Sequence, residues 1–493
     1  MKRPGLIIFL LLLVCYGYFL PRWQDPNQNS RLDMVVAVVD DGTFQIDPYV
    51  KNTVDYAKVG EHYYSDKAPG TAFVGIPVYA ALRLVLRLPV MAGVMERLNN
   101  NAALQATLRA DGTGLLEEKV RFAIAQVALT FVAAALPGAL LGLLMFLLLG
   151  RFTSSVWKRA LVVLAYGLLT PAFAYSNAFY GHQLSAACLF AAFYLLFMPA
   201  GRVSTPALLG AGFLMGYSVF TEYPTALVVI ILVGYAAYRL RRALPRLAWV
   251  ALPGLAVAAA LLLYNNAVFG SPFELGYSYS ELWVDEHSTG FMSLTVPSLT
   301  ALYGVTFGLF RGLFVLSPVL LLAVPGFVQW WRSKEERAAW WVALLITLVI
   351  LWFNISSSMW WGGFAIGPRY MLPMLPFLAL GLIFPLRVWG ERTWFRVLAG
   401  VLGAWSLAAT WGLTLAEQAF PPDDLYNPLA QWALPNWAVG NIARNLGMFV
   451  DLAGPLSLLP LLLVVALLLG WLALAARQPR PVGSPAVERK PVN

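Results

Sequence analysis

The stretch Asn27–Asp47, NQNSRLDMVVAVVDDGTFQID, follows the first hydrophobic segment of the chain. Within it Leu32, Val35, Val36 and Val39 recur at i, i+3, i+4 and i+7, the spacing of one face of an α-helix. Ser30 stands in front of that pattern as an N-cap residue, and Gly42 stands behind it as a stop. Asp33 and Asp40, seven residues apart, share a different stripe. The stretch therefore predicts a short helix lying on a surface, with its carboxylates turned toward something other than lipid.

The rest of the chain says what that surface is. Of 493 residues, 59% are hydrophobic and only 12% are charged, against roughly a quarter charged in a soluble domain. Long apolar runs recur along the whole length, which makes this an all-α polytopic membrane protein. The formal net charge of +9 does not point to nucleic acid, because the excess Lys and Arg lie in short loops between apolar runs. Cys15 and Cys188 each sit inside an apolar run, where a small buried residue is the ordinary reading. No metal site is assigned. Met1-Lys2-Arg3 and the apolar Pro4–Leu20 resemble a signal peptide, but no small-x-small cleavage site follows, so they read as an uncleaved first span.

Length and hydropathy predict about twelve transmembrane helices, at 5–20, 121–149, 156–174, 182–199, 205–221, 224–240, 246–264, 303–331, 338–354, 370–386, 396–413 and 456–476. The basic groups Arg151/Lys158/Arg159, Arg239/Arg241/Arg242/Arg246, Arg332/Lys334/Arg337 and Arg387/Arg392/Arg396 mark the cytoplasmic loops. Both termini are then cytoplasmic, and the loops 21–70, 265–302, 355–369 and 414–455 are extracytoplasmic. This parity holds only if 71–95, interrupted by Pro77, Arg83, Arg87 and Pro89, is an interfacial or re-entrant helix. Residues 1–476 form one integral-membrane domain, placed in the cell (plasma) membrane. The Pro-rich tail 477–493 reads as disordered.

The outer face carries the chemistry. The loop 21–70 holds Asp25, Asp33, Asp40, Asp41, Asp47, Asp55, Glu61 and Asp66 in a chain that otherwise avoids charge. GEHYYSDKAPG, residues 60–70, gathers His62, Tyr64, Asp66 and Lys67 ahead of Pro69, which suits the start of a helix. A cation held there is placed to bind phosphate. Arg311, in FGLFRGLFVLSP, lies inside an apolar run, where an arginine is expensive and commonly functional; snorkelling to the headgroups is the alternative. Arg369, in WWGGFAIGPRY, follows Trp360 and Trp361, which read either as interfacial anchors or, for Trp361, as a platform for a sugar ring. His182, Glu222 and Glu274 stand at outer ends of spans or loops. Together these groups suit chemistry on a phosphate-bearing, membrane-embedded substrate.

Three blocks, EHYYSDKAPGTAFVGIPVYA (61–80), GLFRGLFVLSPVLLL (308–322) and WWGGFAIGPRYMLPMLPFLAL (360–380), resemble those of bacterial GT-C glycosyltransferases. The nearest named relatives are the protein O-mannosyltransferases and the lipid A aminoarabinose transferase. The resemblance covers most of residues 5–390. It implies a GT-C fold with two large extracytoplasmic loops, a polyprenyl-phosphate sugar donor, and a lipid, glycan or protein acceptor beside membrane lipid. It further implies inverting transfer of a hexosyl or pentosyl group. A carboxylate of the first outer loop acts as general base, and cations stabilise the leaving phosphate. Lys67 matches the family's phosphate-binding lysine, with Arg311 and Arg369 next. The family's Asp-Glu pair falls on Gln28 and Asn29, and an amide is no base. Asp33 is the first replacement, with Asp47, Asp55 and Asp25 as alternatives. His62, Tyr64, Asp66, His182, Glu222, Glu274 and Trp361 are the expected substrate contacts. No cofactor is implied for certain, and a divalent cation stays open. An oligosaccharide ligase or polymerase on the same fold, and a lipid or sugar flippase, are the alternative functions.

Overall fold

The computed structural model describes residues 3–22, 25–100, 119–290 and 293–477. The expected tail, apart from Arg477, lies outside the described residues. Helix α1 (Arg3–Gly17) enters the bundle and packs on the long Lys119–Arg151 helix and the last helix, Leu459–Arg477.

The N-cap of helix α2 (Pro26–Asp40) lies five residues before the expected Ser30. Asp25 is the N-cap, and its carboxylate accepts from the Gln28 N–H at 2.9 Å. Pro26 occupies the first helical turn, where its missing N–H has no partner to lose. Ser30 instead sits inside the helix, buried, with its hydroxyl 2.9 Å from that of Ser65. The predicted apolar face exists: Leu32, Val35 and Val36 join a core with Tyr79, Phe122, Phe179 and Tyr264. The polar side is not open, however, because every residue from Gln28 to Ala37 is buried. The helix is enclosed by protein rather than lying on a surface.

Beyond α2, a two-stranded hairpin pairs β1 (Ala57–Val59) with β2 (His62–Tyr64). Helix α3 (Gly70–Leu86) returns along α2 and bends by 100° into α4 (Pro89–Asn99). Proline at the start of α4 cannot continue the ladder of α3. Asp40 fastens the end of α2 to its neighbours, meeting Arg83 at 2.7 Å and Arg121 at 3.1 Å and accepting from the Tyr79 hydroxyl at 2.9 Å.

Among the described residues, six helices are long and apolar enough to cross a membrane, or seven if the bent α3–α4 pair counts as one span. They correspond to the expected spans at 121–149, 246–264, 338–354, 370–386, 396–413 and 456–476. Four shorter apolar helices, Arg3–Gly17, Gly181–Phe197, Thr205–Thr221 and Tyr223–Arg239, fall on four further expected spans. The remaining two are not single helices. The 156–174 run stops at Leu168 and restarts at Ala172, with Pro171 in the break. The 303–331 run divides into Leu299–Thr306, Leu313–Leu316, Pro318–Leu322 and Ala323–Ser333. Gly308, Gly312 and Pro318 lie in that run, and both residue types weaken a helix interior.

The basic loops meet at one end of the bundle. Arg151 pairs with Glu336 at 2.8 Å, Arg387 grips Glu335 with both terminal nitrogens, and Lys158 meets Glu391 at 3.5 Å. The helix Arg337–Ile355 runs from this end to the opposite one. We predict that Asp40→Ala lowers stability by about 1–2 kcal/mol, since it strands two half-exposed arginines and a tyrosine hydroxyl. A lower apparent melting midpoint in detergent, with unchanged insertion, checks this.

Candidate active site

At the end away from the basic loops, three separate segments close around a cavity of about 280 Å³. The 21–70 segment supplies Asn27, Arg31 and Lys67. The 265–302 loop supplies Leu275, Tyr277 and Trp283. The 353–370 segment supplies Phe353, Ser357, Met359, Arg369 and Tyr370. His182 and Glu222 line it from two helix ends. A small recess opens beside it, bordered by Asp25, Asp55, Tyr180, Phe364 and again Asn27, Trp283 and Arg369.

The charges are arranged in two pairing groups and one cation outside them. Lys67 Nζ lies 2.7 Å from Asp55 and 2.9 Å from Asp66, all three buried. Burial opposes ionisation of Asp55, yet the Lys67 ammonium holds its carboxyl below the usual range. Asp66 is pushed up to about 6, first by burial and then by the charge of Asp55. Two carboxylates thus share one ammonium, whose own pKa they raise against the burial that would lower it.

In the second group, a Glu222 carboxylate oxygen lies 3.3 Å from His182 Nδ1 and accepts from Arg31 at 3.5 Å. Arg369 is buried, with its guanidinium 5.5 Å from the ring centre of Tyr180 and 5.3 Å from that of Tyr370. Among the described residues no carboxylate pairs with Arg369 within 4.0 Å, and its Nε has no hydrogen-bond partner. It is the cation of this site best placed to meet an incoming anion.

Asp25 faces Arg369 across the recess. One of its oxygens caps α2 and the other accepts from the Tyr180 hydroxyl at 2.8 Å. Burial pushes its carboxyl up to about 6, against those hydrogen bonds and the charge of Arg369, while the charge of Asp55 adds to the rise.

The structure brings together seven of the expected residues: Asp25, Asp55, Asp66, Lys67, His182, Glu222 and Arg369. Others lie elsewhere. Asp33 is fully buried away from the cavity, where Asn52 donates to it at 3.1 Å and its second oxygen has no partner. Burial raises its carboxyl well above the usual range. Asp47 caps the hairpin, accepting from the Tyr63 N–H at 2.6 Å and meeting the exposed His62 at 2.7 Å. Tyr64 packs on Phe269, and its hydroxyl accepts from Gln45. Neither Glu274 nor Trp361 lines the cavity or the recess.

Arg311 neither snorkels nor enters the cavity. It is fully buried and donates to the carbonyls of Trp361 at 3.1 Å and Gly363 at 2.8 Å. Its guanidinium is committed to backbone. Among the described residues, no three His, Cys, Asp or Glu side chains gather as a cation site would require.

Arg31, Tyr180, Tyr277, Trp283 and Tyr370 were not expected as site residues. Arg31 had a readable neighbour, since Asp25-Pro26 is an N-cap signature that sets the phase of α2, and Tyr180 stands two residues before His182. The contacts of Tyr277, Trp283 and Tyr370 arise from long-range closure and leave no local signal.

No family model matches the sequence, and no curated protein matches it significantly. Among solved structures, ArnT from Cupriavidus metallidurans bound to undecaprenyl phosphate aligns with a TM-score of 0.48 at 17% identity, covering 96% of this chain and 72% of that one. Its apo state aligns with a TM-score of 0.46 at 17% identity, over 96% and 73%. At this depth the likeness carries no functional assignment. The chain is a multi-pass helical membrane protein with a cavity bordered by Arg31, Lys67, His182, Glu222 and Arg369 at the end opposite its basic loops.

Two substitutions separate structure from chemistry. Arg311→Met leaves two buried carbonyls without donors, at about 1–3 kcal/mol each, so the apparent melting midpoint falls by several degrees and Arg311→Lys falls in between. Asp33→Asn keeps the acceptor for Asn52 and removes a carboxyl disfavoured by burial. Its melting midpoint and its activity stay close to wild type.

Proposed function

We propose that the protein is a GT-C-type inverting glycosyltransferase that takes a sugar from a polyprenyl-phosphate donor at the extracytoplasmic face of the cell membrane. The observation that supports this best is the juxtaposition of Arg369, buried without a carboxylate partner, and the carboxylates Asp25 and Asp55 across one recess. A cation in a water-poor site stabilises charge developing on a leaving phosphate far more than it would in water. A carboxylate with its pKa pushed toward neutrality is matched to accept a proton from a hydroxyl. The donor class comes from the sequence blocks at 61–80 and 360–380; the acceptor is a lipid, glycan or protein hydroxyl that reaches the recess.

In this reading the acceptor hydroxyl gives its proton to Asp25 as its oxygen attacks the anomeric carbon. The bond to the phosphate oxygen breaks on the opposite face, so configuration inverts. Polyprenyl phosphate leaves with the bonding electrons, its charge met by Arg369 with Arg31 and Lys67 nearby. Asp55 keeps Lys67 in place. Sidedness follows from the basic loops, which put the cavity outside and both termini in the cytoplasm.

The test is turnover of a panel of polyprenyl-phosphate hexoses and pentoses by the purified protein, read as release of polyprenyl phosphate. Arg369→Met is expected to lower kcat by about 10²–10³, and Asp25→Asn by about 10²–10⁴. Movement of intact donor across the bilayer without release would establish a flippase instead. Release from pyrophosphate-linked donors alone would establish a ligase or polymerase.

The pH profile carries its own sign. Asp25 works ionised, and its carboxyl sits at about 6, so kcat rises through pH 6 and falls about tenfold per unit below it. Asp66 titrates in the same range. Loss of this acid limb in Asp25→Asn, with its retention in Asp66→Asn, assigns it to Asp25.

A further inference from the structure

Three residues border both the main cavity and the recess: Asn27, Arg369 and Trp283. Trp283 comes from the second outer loop and is only partly buried. Among the described residues its indole N–H donates to no protein acceptor, while its ring leans on Phe364 at 6.2 Å between centres. It therefore presents a flat apolar face and a free donor at the boundary between a cation and a pair of carboxylates.

Its seat is built. Gly363 has a φ of +61°, which side chains rarely adopt, and a Cβ there would stand 3.1 Å from both Trp283 Cζ2 and Met359 Cε. Gly362, at +75°, leaves the same kind of room for Arg369, whose Cγ and Nε would lie 3.1 Å from an added Cβ. Arg311 fixes this glycine pair by holding the carbonyls on either side of Gly362. One buried guanidinium thus sets the positions of both the free cation and the indole.

We infer that Trp283 is the platform on which the donor's sugar ring stacks, and so a specificity-determining residue of the transfer site. This rests on the glycosyltransferase reading above. If the donor phosphate meets Arg369 and the attacking hydroxyl is deprotonated from the recess, the anomeric carbon lies at the boundary between the two compartments. The ring attached to that carbon then covers the indole. An aromatic face with one polar handle suits a ring with apolar C–H faces and hydroxyl edges.

The experiment compares two probes, undecaprenyl phosphate and undecaprenyl phosphate carrying a single hexose or pentose, binding to the full-length protein in lipid nanodiscs. Trp283→Ala is expected to weaken binding of the best sugar-bearing lipid by about tenfold and to leave the bare lipid phosphate within about twofold. Trp283→Phe restores most of the loss. Gly363→Ala, which displaces the indole without removing it, reproduces the selective loss. Equal loss for both probes, or no loss for the sugar-bearing one, overturns the platform while leaving the glycosyltransferase reading intact. A wild-type protein that binds neither probe overturns both.

Discussion

A guanidinium inside an apolar layer has to find acceptors, and the surrounding structure is shaped by where Arg311 finds them. It takes no carboxylate. Its donors go to the carbonyls of Trp361 and Gly363, which belong to a turn that has left regular helix and has no ladder of its own to satisfy them. The arrangement resolves two costs at once. The buried charge is solvated by backbone dipoles, and two orphaned carbonyls gain charge-assisted hydrogen bonds. The cost of the buried charge is offset by a fixed loop, and that loop carries the glycines that accommodate Arg369 and Trp283.

The other buried cations follow a different rule. Lys67 is held between Asp55 and Asp66, and Arg31 shares Glu222 with His182. Each is close to neutralised within its own group, which makes the groups rigid and leaves little field for a ligand. Arg369 stands outside both, with aromatic faces in place of counter-ions. A ring quadrupole attracts a cation without cancelling its charge. Arg369 is thereby held in place while remaining available to an anion.

Six of the twelve expected spans match helices long and apolar enough to cross a membrane, and four more match shorter apolar helices, because an apolar run of sufficient length leaves few alternatives. Hydropathy misread 303–331 for the same reason: the run stays apolar through Gly308, Gly312 and Pro318, so composition hides the breaks. The start of α2 was readable but taken at Ser30, though Asp25-Pro26 carries the stronger signal. That shift matters, because it turns Asp25 from a loop residue into a capped carboxylate facing the recess. Lys67 stood out in its polar loop motif, and Glu222, His182 and Arg369 as polar groups at the ends of apolar runs. Tyr277, Trp283 and Tyr370 did not, since aromatics at span ends are ordinary in a membrane protein.

The breaks themselves explain why the site lies where it does. A continuous helix satisfies all its backbone groups internally and offers a ligand only side chains. Helix-breaking residues at 308–318 and the glycine turn at 362–363 release carbonyls and let loops descend between helix ends. Buried polar residues must then pair with that freed backbone or with each other. Arg311 does the first and the Lys67 group does the second, while Arg369 meets Tyr180 and Tyr370 in place of a carboxylate. In a low-dielectric setting a buried cation without a paired counter-ion is costly, and binding of an anion would lower that cost. The cavity is therefore incomplete electrostatically in one place, beside the two carboxylates and the indole that border the recess.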